Sequence, residues 1–187
     1  MRRDQLQHII RAAAEICEEP DFIVIGSQAV HGSLVDVDEE LLIRSMEADL
    51  YPLHAPHKSQ LLNEIGELSL FHTHNGYYAD GVDDTTATLP AGWQDRLIRI
   101  SGPLTQNIHG FEARGWCLDL HDLVISKLVA GRDKDIAFFR ALVRMHEIEL
   151  VTLRERLAQT SVSAAKRRIV ESYFEVGFED VIDAASS

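Results

Sequence analysis

Two short stretches hold the residue types that could do chemistry. The first is Phe22-Ile23-Val24-Ile25-Gly26-Ser27, an apolar run that ends in Gly-Ser. The second is Ser45-Met46-Glu47-Ala48-Asp49-Leu50-Tyr51, an apolar-flanked segment with two carboxylates two residues apart. Side chains alternate along a strand, so Glu47 and Asp49 are expected on one face. Neighbouring carboxylates repel each other unless a cation lies between them, and Mg2+ or Mn2+ prefers oxygen ligands. Gly26 allows close backbone approach, and Ser27 can open a helix whose free N–H groups favour a phosphate. A phosphate cradle beside metal-binding acids is the chemistry of phosphoryl or nucleotidyl transfer.

The elements that must position these residues can be read from periodicity. Leu6, Ile9, Ile10, Ala13, Ala14 and Cys17 recur at helical spacing over residues 4–18, and Glu18-Glu19-Pro20-Asp21 ends that helix. Residues 22–26 form the first strand, and a short helix starts at Ser27. An acidic loop covers 36–40, and a second strand runs over about 43–51. A helix is predicted from Lys58 to Leu68. Asn75-Gly76 then predicts a hairpin between strands at 69–72 and 77–82. Residues 96–101 and 111–118 supply further strands. After Asp119 the pattern becomes helical, with helices over about 120–131, 133–146, 149–159 and up to about 176. The expected architecture is α+β, a mixed sheet with flanking helices and a helical C-terminal part. The expected division is a 1–118 core and a 119–187 helical part packed on it.

Composition narrows the function classes. A net charge of −12 argues against broad, sequence-independent nucleic-acid binding, while leaving room for a local basic patch. The two cysteines, Cys17 and Cys117, are too few for a structural cysteine zinc site. No apolar run is long enough for a membrane span, and Met1-Arg2-Arg3 leads into an acid- and Gln-containing stretch, so a cytoplasmic location is expected.

The order of hydrophobic strand, Gly-Ser, helix, then acid-x-acid resembles the nucleotidyltransferase fold of the polymerase-beta type. Within it, the chain is similar to the AbiEii-type nucleotidyltransferases, which include abortive-infection toxins of toxin–antitoxin systems. The similarity lies in Arg44-Ser45-Met46-Glu47-Ala48-Asp49 and in the run Asp122-Leu123-Val124-Ile125-Ser126-Lys127-Leu128-Val129-Ala130-Gly131-Arg132-Asp133-Lys134-Asp135. It covers roughly residues 20–145. The resemblance implies transfer of a nucleoside monophosphate from an NTP, with Mg2+ or Mn2+, to an RNA end such as tRNA or to a protein acceptor. It implies that Glu47 and Asp49 hold metal and act in catalysis. It implies further that Gly26, Ser27, Arg44 and Lys127 bind the nucleotide, that Lys127 neutralises triphosphate charge, and that Asp135 belongs to the catalytic set as an acid that either supports the ligands from behind or faces the acceptor. Asp80 is the first choice for a third metal carboxylate, with Asp95 the alternative. A role in toxin–antitoxin or phage defence, with an antitoxin protein as partner, follows from the same resemblance.

Glu47 stands where the family usually has Asp and is one methylene longer. This keeps open a second reading, a catalytically inactive binding module of the same fold that acts through a protein partner. A third reading uses the histidines: His72 and His74, with His54 and His57, could build a metal centre for hydrolysis. Tyr77, Tyr78 and Trp93 could stack on a base.

Overall fold

The computed structural model describes residues 1–34, 45–107 and 109–185, with side chains described through residue 179. Arg44, the acidic loop at 36–40 and the first residues of the predicted second strand lie outside the described residues. The chain forms two compact units, one of residues 1–86 and 96–119 and one of residues 87–95 and 120–187.

The first unit is built on a mixed sheet. Its strands are β1 (Asp21–Ile25), β2 (Glu47–Pro52), β3 (Tyr78–Gly81), β4 (Ile98–Ile100) and β5 (Arg114–Cys117). Their order is β3-β2-β1-β5-β4. β1 runs antiparallel to β2 and parallel to β5, β2 is parallel to β3, and β4 is antiparallel to β5. The position of β1 follows from its sequence. An unbroken apolar run suits a strand covered on both faces, and all five of its residues are buried. β2 alternates instead: Ala48, Leu50 and Pro52 are buried, while Glu47, Asp49 and Tyr51 on the other face are half-exposed.

Helix α1 (Arg3–Cys17) buries the stripe Leu6, Ile9, Ile10, Ala13, Ala14 and Cys17. It lies so close to β5 that a Cβ on Gly115 would come within 2.6 Å of Ile10. After β1 the chain makes a 3-10 turn over Ser27–Ala29 and then the four-residue helix α2 (Val30–Ser33).

Two expectations need correction. The predicted helix from Lys58 is a 3-10 segment over Pro56–Ile65. It is pressed onto β3, where a Cβ on Gly81 would sit 2.1 Å from the Ser59 carbonyl oxygen. The predicted hairpin is a helix followed by a strand. Helix α3 covers Leu70–Asn75, and Ser69 caps it by accepting the His72 N–H at 3.1 Å. Gly76 ends it in the left-handed conformation, φ +76°, with its N–H on the His72 carbonyl. Asn-Gly serves both a hairpin turn and a helix C-cap. The serine cap six residues earlier favours the helix here.

The second unit is helical, with α4 (Leu120–Ala130), α5 (Asp133–Arg144), α6 (Leu150–Ala158) and α7 (Ala164–Ala185). Helix α7 extends beyond the residue-176 end read from the sequence. Phe139 and Phe174 are buried against each other, with ring centroids 6.1 Å apart. Segment 87–95 belongs to this unit, and the Ala91 N–H donates to the Gln159 carbonyl at 3.0 Å.

Candidate metal and phosphate site

The register of three strands builds the site. Ile25 of β1 pairs with Asp49 of β2, so the chain leaves β1 at Gly26 directly beside Asp49. On the other side of β2, Asp49 pairs with Asp80 and Glu47 pairs with Tyr78. The β2–β3 pair is parallel, so partners point to the same face. Glu47, Asp49 and Asp80 therefore share the half-exposed face of the sheet. Each offers a carboxylate oxygen, and these oxygens lie within 4.8 Å of one another.

Gly26 is in close contact with this cluster. Its φ is +67° and its ψ −162°, a combination open essentially to glycine. A Cβ there would come within 1.9 Å of Asp49 Oδ2. Ser27 follows at the start of the 3-10 turn, half-buried. The next residue, Gln28, was not singled out in the sequence. It is 1 % exposed, and its Nε2 donates to the Ser45 carbonyl at 3.2 Å, which ties the Gly-Ser turn to the entry of β2.

The electrostatics of the cluster are those of crowded acids. Asp80 is held above the usual carboxylate range, first by burial and then by the charges of Glu47 and Glu67. Tyr78 donates its hydroxyl to Glu47 Oε2 at 3.3 Å. Burial, followed by the Glu47 and Glu67 charges, pushes this phenol up to about 12, so it stays a donor at neutral pH. Three hard oxygen donors crowded on one face fit a divalent cation in donor type.

A second group, Glu19, Asp21 and His54, also brings ligand atoms within 4.8 Å of one another. Glu19 and Asp21 are buried, although in the sequence they mark only the end of a helix. Asp21 already has strong partners. Arg114 Nη2 lies 2.6 Å from its Oδ2, and Trp116 Nε1 donates to its Oδ1 at 2.7 Å. The Asp21 backbone N–H donates to Glu19 Oε1 at 2.9 Å. His54 Nε2 stands 3.7 Å from Asp21 Oδ2. The arginine thus supplies Asp21 with positive charge from within the protein itself.

The remaining residues picked from the sequence sit as follows. Lys127 of α4 and Asp135 of α5 lie in the helical unit. Lys127 Nζ is 3.4 Å from Asp135 Oδ1 and 4.7 Å from the centre of the Phe138 ring. Asp135 is fully buried and also accepts from Arg132 Nε at 2.6 Å. Burial lowers the Lys127 pKa against the opposing pull of Asp135. The Asp135 pKa is lowered too: burial raises it, but the Arg132 and Lys127 contacts outweigh that. Asp95 lies in the 3-10 turn Trp93–Arg96 and joins neither carboxylate group. Of the four histidines, His54 alone belongs to a candidate metal group among the described residues, and His72 Nδ1 accepts the Leu68 N–H at 3.0 Å. Tyr77 packs with His8 and Phe71, its hydroxyl 2.7 Å from His8 Nδ1, as part of the core.

The mixed sheet thus sets the Gly-Ser turn against Asp49 and gathers three carboxylates beside it. Residues 4–185 match the family described as nucleotidyltransferase of unknown function (DUF6036), and the chain belongs to that family. No curated protein and no solved structure gives a significant match. Among the described residues no helix is long and apolar enough to cross a membrane.

Proposed function

We propose that the protein is a metal-dependent nucleotidyltransferase that moves a nucleoside monophosphate from an NTP to an RNA end or a protein acceptor. The observation that carries this reading is the strand register. It brings Glu47, Asp49 and Asp80 to one face and sets Gly26 against Asp49.

Glu47, Asp49 and Asp80 would hold the cation. A divalent cation in such a site supplies Lewis-acid stabilisation of charge on phosphoryl oxygens. Gly26 lets the backbone of the turn lie directly against Asp49, and Ser27 would offer a hydroxyl and a backbone N–H to the oxygens of a polyphosphate. Tyr78 holds the Glu47 carboxylate at the edge of the cluster. Lys127 and Asp135 enter this account as a buried ion pair of the helical unit.

The sequence resemblance to AbiEii-type toxins extends the proposal to a role in bacterial toxin–antitoxin or phage defence, with an antitoxin as partner. The site itself supports the chemistry, and that role rests on the resemblance.

The test is incubation with Mg2+ or Mn2+ and each α-labelled NTP, with total tRNA and with protein as acceptors. Label transfer that Asp49→Asn abolishes supports the enzyme. Metal-dependent NTP binding with no transfer to any acceptor supports the non-catalytic binding module instead.

A further inference from the structure

We propose that Tyr78 is a positioning residue that fixes the Glu47 carboxylate for metal binding, and that His72 and Leu68 hold Tyr78 in place. This inference rests on the metal reading of the Glu47–Asp49–Asp80 cluster and adds residues to that site.

Glu47 is the most mobile member of the cluster by chemistry. It carries one more rotatable bond than either aspartate, so its carboxylate can leave the common face unless something orients it. Register supplies the partner. Tyr78 is directly opposite Glu47 on the parallel strand, so its ring runs beside the glutamate chain on the same face. Its hydroxyl donates to Oε2 at 3.3 Å. A donor on one oxygen leaves the other free for a cation, the usual arrangement for groups that orient a ligand from behind.

Tyr78 is itself supported. The His72 ring lies against it with centroids 4.7 Å apart and planes inclined at 50°. His72 is in turn held by the Leu68 N–H, which donates to Nδ1 at 3.0 Å. That bond comes from a residue at φ +64°, a left-handed conformation uncommon for leucine. Leu68 is also 86 % exposed, so its backbone is not shaped by burial of its side chain. Such a backbone outlier persists where the surroundings hold it, and here it orients a donor toward the ring behind Tyr78. The chain of contacts runs from Leu68 to His72 to Tyr78 to Glu47 and ends at the metal-binding face.

The test is the Mn2+ dissociation constant, read from the EPR signal of free Mn2+, for wild type, Tyr78→Phe, Glu47→Asp and the double variant. Circular dichroism melts check folding. The contact is long for an O–H···O bond, so Tyr78→Phe should weaken Mn2+ about tenfold, the low end for residues that orient ligands. In the Glu47→Asp background the carboxylate is one methylene short of the hydroxyl, and the same change should have no effect. His72→Ala should weaken Mn2+ in the same direction, and it serves as the second variant if Tyr78→Phe melts early. Unchanged Mn2+ binding in Tyr78→Phe, or an equal loss with and without the full-length glutamate, overturns this inference alone. A wild-type protein that binds no Mn2+ overturns the metal reading, and this inference with it.

Discussion

Replacing Gly26 by alanine perturbs the site through a single added carbon. That carbon would stand 1.9 Å from Asp49 Oδ2, so the two must part by about 1 Å to reach even the 3.0 Å below which real Cβ contacts essentially never fall. The backbone resists as well. At φ +67° and ψ −162°, alanine costs about 1–3 kcal/mol relative to glycine. For a chain of this size that is a fall in Tm of roughly 2–12 °C. The effect on binding should be larger than the effect on folding. Metal–ligand distances tolerate only about 0.2 Å, and a misplacement of about 1 Å at a reacting centre can cost about a hundredfold. Gly26→Ala is therefore expected to weaken Mn2+ at least about tenfold while the protein still melts cooperatively. The assay pairs Mn2+ EPR titration with thermal melts on the same sample. Mn2+ affinity within about twofold of wild type in a folded Gly26→Ala protein would refute the reasoning, because Asp49 would then not need the position it holds.

Asp135→Ala removes the fully buried partner of Lys127 and Arg132 in the helical unit. Breaking such a pair leaves an uncompensated buried cation and should cost about 3–5 kcal/mol, measured by denaturant unfolding; a loss below about 1 kcal/mol would contradict the pairing. Stability should also depend on pH near neutrality. His31 is 3 % exposed, and burial leads the causes that lower its pKa from 6.5. The unfolded chain then binds a proton that the folded chain refuses. Stability is thus full above pH 6.5 and falls as the pH drops from there toward the folded value. His31→Gln should flatten this slope in denaturant titrations at pH 7.5, 6.0 and 5.0, and an unchanged slope would assign the dependence elsewhere.

Much of this was legible in the sequence because it is local. The run Phe22–Ile25 marks a strand buried on both faces, and the Ala48/Leu50 against Glu47/Asp49 alternation marks a strand with one open face. The α1 stripe predicts its buried residues one by one. What escaped is register and long-range pairing. Asp80 is picked from the sequence as a third carboxylate, but the parallel β2–β3 alignment that sets it opposite Asp49 is an offset that nothing in the local sequence fixes. The same alignment brings Tyr78 to Glu47, and the parallel β1–β5 pair brings Arg114 and Trp116 to Asp21. The Asn75-Gly76 signal misled because a left-handed glycine serves a turn and a helix end equally well. Segment 87–95 joins the helical unit through contacts such as Ala91 with Gln159, which no local pattern announces.

The most direct test of the central claim is the anomalous difference map of a crystal soaked in Mn2+ and a non-hydrolysable NTP. The account predicts a peak bonded to Glu47, Asp49 and Asp80, with the phosphates lying along Gly26 and Ser27. Manganese bound instead at Glu19, Asp21 and His54, with the β2–β3 carboxylates free of metal, would contradict it.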